Sequence, residues 1–467
     1  MEKLLEIVKT VNAYTADYIL VILLVAVGVF FTVKTRFVQI RCFGEGMKKV
    51  FGKFSLRGGA QKSGLSSFQA LTTAIAAQVG TGNIIGASGA ILAGGPGAIF
   101  WMWICGLLGM VIKFAEATLA VRYRVKNDRG EWVGGPMYMI RHGLPRIWRP
   151  LAGIYCFFGV VAALGVGNAT QINTVIVSLD RALAGLQIGL SLWGKLAIGG
   201  ALAVLIGILL SGGARRIGRA AEGLIPFASG LYLLLCLVVL VIHADRLPEA
   251  FCQILQGAFA PRAVTGGVIG AMLQPLRTGV SRGVFTNEAG MGTASIAHAS
   301  ARVTHPVKQG MMGLVEVFLD TIVICTMTAL VILCSGVWIP YGIDGGIGLT
   351  TEAFTSVLGN WVSVVIAGAI CLFAFATVLG WGLYGLRCAQ YLLGQRVWKA
   401  FICLQMAAVL LGAAANAQTI WLLAEIVNGL MAIPNLIALW FLTPELLRLI
   451  RQYKGGYYEN FHQRQSL

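Results

Sequence analysis

Two short polar stretches, each bracketed by glycines, interrupt runs that are otherwise apolar. One is Gly80-Thr81-Gly82-Asn83. The other is Phe285-Thr286-Asn287-Glu288, set between Gly283 and the pair Gly290 and Gly292. An interior glycine costs a helix about 1 kcal/mol against alanine, so helix is expected to stop and restart at both places. At bilayer depth such gaps are tolerated where the freed backbone groups line a cavity or meet other partners, and polar side chains there are expensive unless used. A half-helix restarting near Gly82 would aim unpaired N–H groups and the positive end of its dipole at an anion. The half ending around Ala76 to Val79 would leave carbonyl oxygens for a cation or an ammonium group. Thr286 and Asn287 offer hydrogen bonds to an amino group, Phe285 and Met291 a cap over a small side chain, and Gln78 is counted with the same binding set. The alternative for any such glycine is close helix packing, and that is the reading for Gly86, Gly89, Gly106 and Gly109.

The elements that must hold these stretches follow from composition. Of 467 residues, 57% are hydrophobic and 12% charged, with a mean hydropathy of +0.79, far from the roughly 25% charged residues of a soluble domain. Each crossing of the ~30 Å hydrocarbon layer needs about 20 residues, and no soluble domain fits beside the spans. Apolar runs long enough to cross lie at about 17–33, 66–93, 98–121, 151–178, 190–211, 220–242, 264–297, 310–336, 357–384, 398–415 and 419–442. That predicts an all-α membrane protein with eleven transmembrane helices. The ten cysteines stand singly, and the five histidines form no ligand motif, so neither disulfides nor a metal centre are expected. Nor does a nucleophile stand with a base, and no enzyme is expected.

Basic residues set the orientation. Alternate loops carry 27 of the 36 lysines and arginines and the opposite loops 6, which predicts the N-terminus outside and the C-terminus in the cytoplasm of a cell bounded by its inner (plasma) membrane. The amphipathic stretch before the first span is taken as retained. The net charge of +17 is then explained by basic loops facing the anionic leaflet of the lipid bilayer, and no nucleic-acid partner is implied. Spans two to six and seven to eleven each open with an interrupted helix. Five is odd, so the second set enters from the opposite side: a 5+5 inverted repeat preceded by one extra N-terminal helix, the pattern of a secondary transporter. The boundaries are 1–65 for the first span and its basic loop, 66–242 and 243–442 for the two repeats, and 443–467 for a basic tail.

At SSFQALTTAIAAQVGTGNIIG, GGPGAIFWMWICGLLGM, KFAEATLA, GGPMYMI, GNATQIN, FTNEAGMGTAS, HPVKQG, FLDTIVICT and FAFATVLGW the chain resembles the alanine or glycine:cation symporter family, whose members look like the leucine-transporter fold with one extra helix. The motifs are spread over residues 66–440. The resemblance implies sodium-coupled uptake of alanine and glycine by alternating access, with a monomer expected; a proton-coupled amino-acid permease of the same fold is the alternative. Carried over by motif, Gly80, Thr81, Gly82 and Asn83 would hold the substrate carboxylate, Asn168 and Gln171 would come from the third core helix, and Thr377 with Trp381 would close the far wall. Sodium would take carbonyls of Ala76 and Val79, a carbonyl near Phe373, and the Thr377 hydroxyl. Where the family has Ser-Thr or Thr-Thr, this chain has Ala376-Thr377, so one expected hydroxyl ligand is absent.

Other polar groups inside spans remain. Lys113 and Glu116, three apart, read as an ion pair on one helix face. Asp320 sits deep in the eighth span, as a coupling residue or as a partner of neighbouring hydroxyls, and Glu288 is a candidate cap for the restarting half-helix.

Overall fold

All eleven predicted runs coincide with helix in the computed structural model of this chain, which describes residues 19–52, 65–184, 189–259, 268–342, 347–414 and 417–454. The amphipathic N-terminal stretch, the basic residues Lys53, Arg57 and Lys62, and the tail beyond Lys454 lie outside the described residues. Besides the short loop helices Val38–Arg41, Phe43–Phe51 and Pro136–Gly143, the helices in chain order are α1 (Leu20–Lys34), α2 (Ser67–Gln78), α3 (Thr81–Gly94), α4 (Gly97–Arg122), α5 (Arg149–Leu164), α6 (Thr170–Ala184), α7 (Leu192–Ser211), α8 (Gly213–Ile242) and α9 (Leu247–Phe259). There follow α10 (Val268–Asn287), α11 (Thr293–Ala299), α12 (Pro306–Val317), α13 (Thr326–Ser335), α14 (Ile347–Leu358), α15 (Val362–Leu393), α16 (Trp398–Ala414), α17 (Ala417–Phe441) and α18 (Thr443–Lys454). Seven helical spans are long and apolar enough to cross a membrane, and the bent pairs α2–α3 and α17–α18 bring the number to nine among the described residues. Two predicted spans miss that measure: α1 is only 15 residues long, and α10 carries Gln274, Pro275, Arg277 and Arg282. The short hairpin Val125–Lys126 with Trp132–Val133 and the helices α9, α14 and α18 were not anticipated.

Local sequence explains the ends. Ser66 begins α2 with a capping box, its hydroxyl accepting from Gln69 N and the Gln69 side chain returning to Ser66 N. Pro306 opens α12, where a missing N–H costs nothing. Within two spans the helix widens to a π turn, at Gly165–Ala169 and Phe318–Cys325. Such widening is common at functional sites because it releases backbone groups from the helical ladder.

Burial separates centre from rim. The apolar window of α7 is 22% buried and faces lipid, whereas α4 and α15 are 67% and 61% buried and stand inside the bundle. One apolar core joins α1, α4, α5, α10–α12, α15 and α17; a second joins α2, α3, α8, α13 and α15. The broken pairs α2–α3 and α10–α11 lie against both α4 and α15, so these two inner helices position both interruptions.

Candidate functional site

The first break is two residues wide. Helix α2 ends at Gln78; Val79 (φ −71°, ψ 86°) and Gly80 (φ −131°, ψ −152°) are extended, and α3 restarts at Thr81 after a bend of 44°. Gly80 N turns from the helical ladder to Asn83 Oδ1 (3.2 Å), and the Ala76 carbonyl accepts instead from Thr377 Oγ1 (3.1 Å). Two of the nominated sodium ligands, Ala76 O and the Thr377 hydroxyl, are therefore already neighbours. A Cβ built on Gly80 would lie 2.4 Å from Thr377 Oγ1, so only glycine admits this approach. Thr81 donates to Gln171 Oε1 (2.8 Å), and Gln171 in turn donates to Val166 O in the π turn (3.2 Å). Gln78 is 3% exposed, and its amide nitrogen and oxygen both lack a protein hydrogen-bond partner. A buried amide left so costs stability, which marks it as available to a ligand.

At the second break, α10 ends at Asn287 and α11 restarts at Thr293. Glu288, Gly290 and Gly292 all have positive φ (51°, 88° and 75°), a conformation glycine adopts freely and glutamate does not. Three contacts hold Glu288 there: Lys113 Nζ donates to its carbonyl (3.2 Å), Trp381 Nε1 to its Oε1 (3.0 Å) and Thr293 Oγ1 to its Oε2 (2.6 Å). Glu116 Oε1 accepts from Gly290 N (2.9 Å), Gly292 N (3.0 Å) and Asn435 Nδ2 (2.7 Å). The amides freed by this break are thus filled by the protein's own carboxylate. A substrate carboxylate has no place here, whereas at the first turn of α3 the Asp320 carboxylate accepts from the Asn83 side chain (2.6 Å) and, among the contacts described, from no backbone amide of that turn. Lys113 does pair with Glu116 (3.8 Å) and also with Glu316 (3.7 Å), all fully buried.

The structure brings most nominated residues to one region. Phe285 Cε1 lies 3.8 Å from where a Gly82 Cβ would sit, joining the second stretch to the first. Trp381 presses on Gly167, whose Cβ would come within 2.2 Å of its own. Phe373 and Thr377 are one turn apart on α15, with Ala376 between, all buried. Other nominated groups are engaged elsewhere. Asn168 donates to Gln405 O (2.8 Å) on α16. Thr286 Oγ1 donates to Gly283 O (2.8 Å) on its own helix. Asn287 Nδ2 donates to Thr321 Oγ1 (3.2 Å) while its Oδ1 accepts from Ala289 N (3.0 Å), and Met291 is buried in the first apolar core. Sequence reasoning missed Asn435, which also donates to Gly290 O (2.8 Å), and the part Glu116 plays at the second break. The signal for Glu116 was a carboxylate at bilayer depth; Asn435 stands in no motif.

The geometry suits reversible capture of a small charged molecule rather than bond making, and no group of three or more His, Cys, Asp or Glu is placed to hold a metal among the described residues. The profile of the sodium:alanine symporter family matches residues 1–465. The sodium/alanine symporter AgcS of Methanococcus maripaludis is 38% identical over 94% of each chain. The "probable sodium/glutamine symporter GlnT" of Bacillus subtilis is 36% identical over 97% of this chain and 91% of its own. Among solved structures, MhsT in complex with L-phenylalanine superposes with a TM-score of 0.58 at 15% identity, covering 84% of this chain and 99% of that one; the shared fold is the leucine-transporter fold.

Proposed function

Because this chain belongs to the sodium:alanine symporter family of multi-pass membrane transporters, we propose that it carries a small neutral amino acid, alanine or glycine, into the cell together with sodium by alternating access. The observation that carries the reading is the first break. One interruption presents the free amides of α3 on one side and the Ala76 carbonyl with the Thr377 hydroxyl on the other, so both charges needed for a zwitterion and its cation meet at one place. The substrate carboxylate docks on the amides of Thr81, Gly82 and Asn83, where the helix dipole favours it. Sodium takes the carbonyls of Ala76, Val79 and Phe373 and the Thr377 hydroxyl. Gln78 and Gln171 hydrogen-bond the substrate, and Phe285 and Trp381 restrict its side chain to hydrogen or methyl. Glu116, by filling the amides of the second break, leaves the first as the place for the carboxylate and so fixes which way the substrate lies. The basic loops support an N-terminus outside and a C-terminus in the cytoplasm at the inner membrane.

Alanine at 376 favours a second reading, proton coupling, because sodium prefers a shell of several oxygens and this position supplies none from its side chain. Uptake of labelled alanine into proteoliposomes decides between them. An inward sodium gradient should drive accumulation at constant pH. Uptake that follows a pH gradient and ignores sodium selects the proton-coupled carrier, and no uptake of alanine or glycine under either gradient removes both.

A further inference from the structure

Asp320 is fully buried in the π turn between α12 and α13, and it is neither a substrate contact nor a sodium ligand at the first break. Its two carboxylate oxygens end two hydrogen-bond chains that start at the two breaks. Along the first, Gly80 N donates to Asn83 Oδ1 (3.2 Å) and Asn83 Nδ2 donates to Asp320 Oδ1 (2.6 Å), with a second contact to the Asp320 carbonyl (3.1 Å). Along the other, Asn287 Nδ2 donates to Thr321 Oγ1 (3.2 Å) and Thr321 Oγ1 donates to Asp320 Oδ2 (2.8 Å). The polarity of both chains is forced. The Asn83 oxygen must face the Gly80 N–H and the Asn287 oxygen the Ala289 N–H, so each amide nitrogen is left pointing toward Asp320. A group that accepts at both ends and donates at neither is required where the chains meet, and an ionised carboxylate is that group.

We propose that Asp320 is the positioning residue that ties the two helix breaks into one binding geometry, so that the turn at Gly80 and the turn after Asn287 cannot move independently. The proposal rests on the reading of the first break as the substrate site. Aspartate and asparagine differ in a way that separates the two chains. Asp320→Asn keeps an oxygen for Asn83 but sets an amide N–H against the Thr321 hydroxyl. The first break then keeps its anchor, and the second loses it.

The test uses the full-length protein in detergent micelles and in proteoliposomes. Amide hydrogen exchange is measured over residues 79–83 and 286–292 in the wild type, Asp320→Asn, Thr321→Val and Asp320→Ala. Asp320→Asn and Thr321→Val are expected to speed exchange at 286–292 by about tenfold or more and leave 79–83 unchanged, and Asp320→Ala to speed both. In uptake, Asp320→Ala should raise the apparent KM for alanine about tenfold with the maximal rate largely kept. Exchange at 79–83 and 286–292 that rises equally in Asp320→Asn, or at neither segment in any variant, overturns the proposal. If Asp320→Ala fails to fold, the Asp320→Asn and Thr321→Val patterns decide alone. A wild type that takes up no alanine sinks the substrate reading while the exchange pattern still judges Asp320.

Discussion

Replacing Gly80 by alanine tests the first break with one methyl group. The new Cβ would stand 2.4 Å from Thr377 Oγ1, where real Cβ atoms essentially never come below 3.0 Å, so the threonine must yield by at least about 0.6 Å. Rotation of Thr377 gives up its hydrogen bond to Ala76 O, worth about 1 kcal/mol net, and a strained rotamer adds about 1 kcal/mol. The sum of about 2 kcal/mol corresponds to roughly thirtyfold in affinity, and it falls on the two oxygens assigned to sodium. Alanine uptake by proteoliposomes over a series of external sodium concentrations should show the half-saturating sodium concentration rising by that factor, with protein yield and monodispersity retained. Removing the obstructing hydroxyl as well, in Gly80→Ala with Thr377→Ala, should worsen sodium dependence little beyond Gly80→Ala. An unchanged sodium dependence in Gly80→Ala would refute the assignment of Ala76 and Thr377 as ion ligands.

Gln78→Met should raise the melting temperature, since it replaces a buried amide without protein partners by an apolar side chain of similar volume at a gain of about 1 kcal/mol or more, and should weaken alanine binding in the same thermal-shift titration. Trp381→Phe removes the donor to Glu288 Oε1; a hydrogen bond contributes about 1 kcal/mol net, and circular-dichroism melting should register that loss along with slower uptake. Glu116→Ala removes the oxygen that accepts from Gly290 N, Gly292 N and Asn435 Nδ2, and hydrogen exchange at 288–292 should accelerate while exchange at 79–83 is unchanged.

The apolar runs and both breaks were legible because they depend on local chemistry: apolar runs form buried or lipid-facing helices, and glycine beside polar residues interrupts a helix; the count was not, since nine of the eleven runs meet the length and apolarity of a span among the described residues. The restart near Gly82 falls at Thr81, where Asn83 reaches back to cap Gly80. Pairing across distance was not legible. Asn83 meets Asp320, which is 237 residues away, and Asn435 meets Glu116 across 319. Such contacts depend on how helices rotate and widen. The π turn at Gly165–Ala169 contains Asn168 and shifts the phase of the helix just before Gln171, which is why helical periodicity alone does not foresee that Asn168 turns to α16 and Gln171 to Thr81. Residue type offers Thr286 and Asn287 as partners of a substrate amino group; in the folded chain Thr286 bonds back to Gly283 O on its own helix, and the Asn287 amide is divided between Ala289 N and Thr321 Oγ1.

Whether one interruption grips both the carboxylate and the cation is decided by reciprocal binding. If both charges share that turn, sodium must tighten alanine binding strongly, and linkage then requires that alanine tighten sodium binding by the same factor, so the size of the factor is what is tested. Isothermal titration of the purified protein, with alanine at zero and saturating sodium and then with sodium at zero and saturating alanine, should give equal factors of about tenfold or more in the wild type, and a much reduced factor in Gly80→Ala. Alanine affinity that is the same with sodium as with choline would contradict the shared grip.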